Sequence, residues 1–456
     1  MAENSSSNAH KPQSQEGFLR RLAPRSRLFV LVLLIGIGSG VCAFTLKWMV
    51  GTLSDNILAR VSDHHTWLLL IIPFCALVVT ALICFYIFRA DLSNGVSQIK
   101  NMLHKKDYFL GASRIPYTLA ASSITLGLGG SAGGEGPMAY TGAAIASTLG
   151  RASRLSPQQM LLLLGCGAGA GIAAIFKSPL GGALFTIEVL QIGFTAYGII
   201  LLFVCSITAG LTSYILGGCH PDVIITGLKQ FDAHLLPALL LLGLFCGIYS
   251  IYYSYLIKWT VRWLSRIPRR WMQVAIAGVI LSILIAIFPA LYSEGYGVAA
   301  SLGSDNNSSL IRAGIISIGN TPWAIAIIAL LILLVKSMAT SLTNNGGGVS
   351  GDFAPTIFAG AVAGYLFAFV ANTLFGLHLP VNQIALYGMA AVMAGAIRAP
   401  LMAIIIVVEM TGAIGHFLPV AIVAGISYFT VRAFTLDSYY SHHQIRSNGY
   451  LFKGKL

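Results

Sequence analysis

Charged residues are scarce in this chain of 456 residues: only 9% are Asp, Glu, Lys or Arg, whereas 56% are hydrophobic. This balance lies far outside the range of soluble globular domains and excludes that class. Apolar stretches long enough to cross a bilayer recur along the sequence. The sequence therefore predicts an all-α integral membrane protein, multi-pass, with ten or more membrane segments.

Paired metal-ligand and disulfide spacings are missing as well. The seven cysteines lie in or beside apolar segments without paired spacing, which indicates small core residues. The adjacent pairs His64-His65 and His442-His443 would diverge on a helix and do not favour a metal site. No nucleotide-binding glycine loop follows a strand pattern. We expect no metal, no cofactor and no nucleic-acid partner.

The polar start lacks the apolar core and cleavage site of a signal sequence. Basic residues crowd just before the first apolar stretch, which by the positive-inside rule predicts a cytoplasmic N-terminus. The tail after Tyr440 is basic too and is expected on the same side, in the cell membrane. The net charge of +13 is interpreted as this topology signal. With only 16 residues after Tyr440 (456 − 440), we expect no appended regulatory domain.

The chain contains a repeat. In each copy a proline is followed nine positions later by a glutamate (188 − 179 and 409 − 400), and a basic residue stands two positions before the proline. The repeat predicts two related halves joined by a linker rich in glycine and proline. The predicted segments are a polar tail at 1–27, a first membrane half at 28–220, a linker at 221–232, a second half at 233–440 and a short tail at 441–456.

A glycine-rich break interrupts each half about forty residues before the repeat, at 130–137 and 346–355. Free backbone groups are tolerated in a membrane only inside protein or beside a watery cavity. Pro137 and Pro355 mark helix starts just after the glycines, because proline suits the first helical turn. Two facing helix starts would form an anion site of backbone N–H groups. The alternative is that these glycines only permit close helix packing.

Glu135 lies inside the first break, where a carboxylate is costly and indicates function. It would compete with a transported anion for the same binding site. Protonation of Glu135 would free that site for the anion. We therefore expect Glu135→Gln to raise anion flux and remove its pH dependence. The alternative is a structural pair with a lysine or arginine.

These segments resemble the CLC family of chloride channels and transporters. Gly134-Glu135-Gly136-Pro137 is similar to its gating-glutamate motif and Gly351-Asp352-Phe353-Ala354-Pro355 to its second anion-binding motif. Residues 176–188 resemble its Pro-Leu-x-Gly helix. The stretch from Arg89 to Lys100, with Asn94-Gly95-Val96-Ser97, occupies the place of its Gly-Ser-Gly-Ile-Pro motif. The resemblance covers about 75 to 445 in the right order.

The resemblance implies two inverted halves with broken, tilted helices and a homodimer in lipid with one pore per subunit. It makes Glu135 the external gate and Tyr440 the inner gate, with Tyr439 as a rival one residue away. It implies an anion site formed by Asn94, Gly134, Glu135, Gly136, Phe353, Ala354 and Tyr440, and a helix-start motif formed by Pro137, Gly351, Asp352 and Pro355.

Departures from the family pattern leave the anion and the mechanism open. Asn94 replaces the expected serine, Gly134 replaces an arginine, and Asp352 adds a carboxylate to the second motif. Val189 stands where proton-coupled members commonly place an internal glutamate, and valine cannot relay a proton.

We therefore expect a chloride channel slightly more than a chloride/proton antiporter. A fluoride exporter is disfavoured, since Pro137 is retained and the first motif has no methionine. An enzyme using Glu135 and Asp352 is also disfavoured, because no nucleophile accompanies them. Glu188 and Glu409 are expected to be structural.

Overall fold

The computed structural model describes residues 24–62, 67–87, 95–302 and 321–435. Across these ranges the chain forms sixteen α-helices and no sheet, with one isolated bridge between Gly133 and Gly351. The predicted all-α architecture is therefore confirmed.

The first eight helices end before the linker. They are α1 (Pro24–Ser62), α2 (Leu68–Leu82, continued by a π-helix at Ile83–Ile87), α3 (Gly95–Lys105), α4 (Arg114–Gly127), α5 (Glu135–Ala152), α6 (Pro157–Phe176), α7 (Pro179–Glu188) and α8 (Ala196–Leu216).

The second eight follow in a matching order. They are α9 (Leu236–Leu264), α10 (Arg270–Ile287), α11 (Tyr296–Leu302), α12 (Pro322–Asn345), α13 (Phe353–Phe375), α14 (Val381–Ile397), α15 (Pro400–Thr411) and α16 (Phe417–Phe434). The packing repeats as well: α5 packs on α6 as α13 packs on α14, and α1 packs on α8 as α9 packs on α16.

Nine helical segments of the described chain are long and apolar enough to cross a membrane. This is fewer than the ten or more that the sequence predicted, because α14 and α15 are apolar but have only 17 and 12 residues. Large apolar side chains remain exposed on the long helices, as a lipid-facing surface requires. On α8, for example, Ile200 and Ile215 are each 58% exposed.

Glycines set the closest helix crossings. A Cβ added to Gly142 on α5 would collide with the carbonyl of Gly167 on α6, and one added to Gly360 on α13 would collide with the carbonyl of Gly388 on α14. Close packing by small residues therefore explains the glycines inside these helices. It brings the helix starts of α5 and α13 deep into the protein.

The repeated basic residues end helices. Lys177 and Arg398 are the C-caps of α6 and α14 and adopt left-handed backbone angles, with φ of +50° and +63°. Lys177 donates a 2.8 Å hydrogen bond to the carbonyl of His220, and Arg398 donates one of 3.1 Å to the carbonyl of Thr435. Both side chains thus bind backbone carbonyls.

The repeated glutamates cap each other's helices across the two halves. Glu409 on α15 accepts hydrogen bonds at the start of α7, from Ser178 Oγ at 2.5 Å and from the amides of Leu180 and Gly181 at 3.1 Å. Glu188 on α7 accepts from the Met402 amide on α15 at 2.8 Å. Each carboxylate satisfies N–H groups that a helix start leaves free.

We predict that Glu409→Ala destabilises the protein by about 2–4 kcal/mol, because it leaves Ser178 and two amides of α7 without their acceptor. The thermal unfolding midpoint of the purified protein measures the loss. Glu188→Ala is the matched variant from the other half and should cost less, since Glu188 accepts only backbone bonds. Equal midpoints for Glu409→Ala and the unaltered protein would contradict this role.

Candidate functional site

The two glycine-rich breaks meet inside the protein. The Gly133 amide donates to the Gly351 carbonyl at 3.0 Å, and the Gly351 amide donates to the Gly133 carbonyl at 2.6 Å. Two residues beyond each glycine a helix begins, α5 at Glu135 and α13 at Phe353. The paired segments therefore bring two helix N-termini to one place, where free amides and the positive dipole ends favour negative charge.

Glu135 places its carboxylate at this junction. The side chain is 1% exposed, and its Oε1 accepts a hydrogen bond from the Phe353 amide. Its Oε2 has no hydrogen-bond partner among the described residues. Buried polar atoms are normally paired, so an unpaired carboxylate oxygen marks a place where a proton or another ligand can be accommodated.

Glycine is required on both sides of this carboxylate. A Cβ added to Gly133 would collide with Glu135 Oε2 and would lie 2.7 Å from the Cβ of Ala354. A Cβ added to Gly351 would collide with Glu135 Oε1 and would lie 2.7 Å from the Gly136 amide nitrogen. These two glycines therefore make room for the carboxylate.

We predict that Gly133→Ala expels the Glu135 carboxylate, and that anion flux then loses most of its pH dependence. Overpacking should also lower stability by about 1–3 kcal/mol. The measurement is the pH profile of flux together with the thermal midpoint. Gly425→Ala on α16 is the matched control, because its Cβ would meet nothing within 4 Å. A Gly133→Ala variant with the ordinary pH profile would contradict the prediction.

The remaining motif residues surround the carboxylate. Gly136, Phe353 and Ala354 are all buried, and the Phe353 ring packs edge-on against Phe185 of α7 with centroids 5.8 Å apart. Pro137 and Pro355 each occupy the third position of their helix. That position lies in the first turn, where the sequence placed them.

Asp352 has a hydrogen-bond partner at the end of α12. Its Oδ1 accepts a 2.6 Å hydrogen bond from Asn344 Nδ2 at the end of α12, and Asn344 Oδ1 accepts from Ser350 Oγ. Asp352 is only 2% exposed. The extra carboxylate of the second motif therefore belongs to a buried polar chain that adjoins the site.

Sequence reasoning missed Lys336, a buried lysine near Glu135. It lies on α12 with no exposed surface, donates a 2.9 Å hydrogen bond to Ser131 Oγ, and sits 4.6 Å above the Phe358 ring. It lies close enough to Glu135 for the two side chains to interact electrostatically. A lysine inside an otherwise apolar span indicates a functional site, and the sequence alone already shows this lysine.

Sequence reasoning also missed Glu294, in the turn between α10 and α11. Its Oε1 accepts a 3.0 Å hydrogen bond from the Gly134 amide. Glu294 belongs with three other charged residues to the linker-side cluster, which we define as Lys47, Lys177, Asp222 and Glu294.

Asp222 joins the two lysines of this cluster. It forms ion pairs with Lys47 and, at 3.0 Å, with Lys177. Burial alone would raise the pKa of Asp222, but the two lysines outweigh burial and hold that pKa below its usual range. The carboxylate therefore stays ionised at neutral pH, and the linker remains attached to α1 and to the α6–α7 turn.

Three predicted site residues, Asn94, Tyr439 and Tyr440, lie outside the described residues, as does the predicted tail at 441–456. Their roles stay predictions.

This chain is similar to known proteins over most of its length. A ClcB-like chloride channel protein of Ralstonia nicotianae is 27% identical over 413 residues, covering 89% of this chain and 92% of the relative. The protein of Salmonella typhi named H(+)/Cl(-) exchange transporter ClcA is 27% identical over 425 residues, covering 89% of this chain and 86% of the relative.

The fold is also shared with a solved structure. A slow cyanobacterial Cl-/H+ antiporter superposes with a TM-score of 0.78 at 21% identity, covering 94% of this chain and 99% of that one. The family model described as voltage gated chloride channel matches residues 75–432, which is most of the sequence. The chain therefore belongs to the voltage gated chloride channel family, the CLC family, whose members transport anions.

Proposed function

We propose that this protein exchanges a small halide, chloride in the first instance, for protons across the membrane. The observation that carries the proposal is the Glu135 carboxylate on the Phe353 amide. A carboxylate and a halide use the same amide donors, so only one of them can occupy this place. Protonation frees the amide for the halide and loads Glu135 with the proton to be exchanged.

The relatives favour exchange over an uncoupled channel. The sequence slightly favoured a channel because Val189 cannot relay a proton, whereas the Salmonella typhi relative is named as an exchange transporter. Val189 is 3% exposed and caps the end of α7. Exchange in this chain therefore needs another proton route, and Asp352 in its buried polar chain offers a titratable group for it.

The remaining features follow the family pattern. In this proposal the protein is a homodimer in the cell membrane with one pathway in each subunit and both termini in the cytoplasm. Asn94 and Tyr440 face the anion from the inner side, with Tyr439 as the rival of Tyr440. The amides of Gly134, Gly136 and Ala354 complete the site, which needs neither metal nor cofactor.

The test is anion efflux from liposomes that contain the purified protein, recorded together with external pH under a chloride gradient. We expect chloride to drive protons against their gradient. Chloride flux without proton movement would overturn exchange in favour of a channel. Coupled flux with fluoride but not with chloride would overturn the choice of halide.

A further inference from the structure

Glu294 places a second carboxylate on the helix start that carries Glu135. Its partner, the Gly134 amide, stands one residue before the gate and is one of the predicted anion-binding groups. The partly buried Glu294 reaches this amide from the turn after α10. Two carboxylates thus accept hydrogen bonds from two backbone amides at one junction, Glu294 from Gly134 and Glu135 from Phe353.

Residue 134 and the Glu294 side chain fit each other closely. A Cβ added to Gly134 would lie 3.2 Å from Glu294 Oε1 and 3.1 Å from Leu46 Cδ2. Both distances are shorter than ordinary van der Waals contacts, so even alanine would push on the carboxylate. Glycine at 134 therefore gives Glu294 access to the amide.

Charged and titratable groups from several elements face Glu294. Lys47 on α1 attracts it, whereas Asp222 in the linker and Glu135 at the start of α5 repel it, and Tyr296 on α11 adjoins it. Lys47 is also paired with Asp222. Glu294 shares Lys47 with Asp222 and is repelled by Glu135. The strength of its hydrogen bond to the Gly134 amide therefore depends on the charge of Glu135.

We propose that Glu294 is a second gate on the same anion pathway, which competes with the transported anion for the Gly134 amide. The proposal rests on the Glu135 junction being that pathway. An arriving anion must displace the carboxylate, and protonation of Glu294 lets it do so. Low pH therefore favours the release of the Glu294 side chain from the Gly134 amide.

The linker-side cluster also has a defined membrane face. Residues 26 to 47 of α1 span about 30 Å, the thickness of the hydrocarbon core. Lys47, and with it Glu294, therefore lies toward the face opposite the N-terminus. With the predicted cytoplasmic N-terminus, Glu294 responds to external pH.

The test is chloride flux in liposomes as a function of chloride concentration and pH. We expect Glu294→Gln to lower the half-saturating chloride concentration by about threefold to tenfold, because glutamine still accepts the Gly134 bond and loses only the extra strength of a bond to a charged group. The difference from the unaltered protein should shrink at low pH, where Glu294 is itself protonated. Gly134→Ala should reproduce this change, and the double variant should show no further change.

Asp55→Asn is the matched control, because it removes one exposed carboxylate of α1 that belongs to neither gate. If Glu294 only capped α5, glutamine would still accept the Gly134 bond and both half-saturation and pH profile would stay unchanged. That outcome would overturn the second gate. The half-saturating chloride concentration can be measured whether or not protons are coupled. Uncoupled flux would therefore overturn the proposal of chloride/proton exchange without affecting the test of Glu294.

Discussion

We expect Glu135→Gln to abolish proton movement coupled to chloride and to raise chloride flux at neutral pH by about tenfold or more. The neutral amide no longer competes as an anion for the Phe353 N–H, and a hydrogen bond to a charged group is worth about 1.5–3 kcal/mol. The same substitution removes the carboxylate that carries the proton. Simultaneous recording of chloride efflux and external pH measures both effects.

The pH dependence of the Glu135→Gln variant separates the roles that we propose for Glu135 and Glu294. The sequence predicted that this variant loses all pH dependence, but Glu294 should leave a residual part. We expect the double variant Glu135→Gln, Glu294→Gln to be flat across the titration. Asp55→Asn again controls for loss of one negative charge. Unchanged flux and coupling in Glu135→Gln would remove Glu135 from the pathway altogether.

The sequence predicted the helix starts well because glycine and proline act locally. A proline in a first helical turn and a glycine beside a carboxylate can both be recognised within one short stretch of sequence. The meeting of the two breaks followed from the repeat, since related halves place related segments at their interface. Gly133 and Gly351 form that contact directly.

The sequence could not predict contacts that depend on distant packing. Glu409 and Glu188 were expected to be structural, but nothing local showed that each caps a helix of the other half. Glu294 follows an apolar stretch in a polar turn, where a glutamate is ordinary. Its contact with Gly134 joins residues 160 positions apart, and only the fold brings them together.

Lys336→Met should weaken chloride binding at the anion site. The lysine has no exposed surface, and its charge faces Glu135 within the protein. When Glu135 is protonated or displaced, a bound halide becomes the anion that this buried cation stabilises. A buried charge interaction of about 1.4–2.7 kcal/mol predicts that the half-saturating chloride concentration rises by about tenfold to a hundredfold.

Lys336→Arg is the matched control for this prediction, because it keeps the cation while changing its shape. We expect it to keep half-saturation closer to that of the unaltered protein than methionine does. Lys336 also donates to Ser131 Oγ, so Ser131→Ala shows how much the hydrogen bond alone contributes. If Lys336→Met and Ser131→Ala change half-saturation equally, the lysine acts by positioning the glycine-rich segment. A larger effect of the Lys336→Met substitution means that the charge of the lysine attracts the anion.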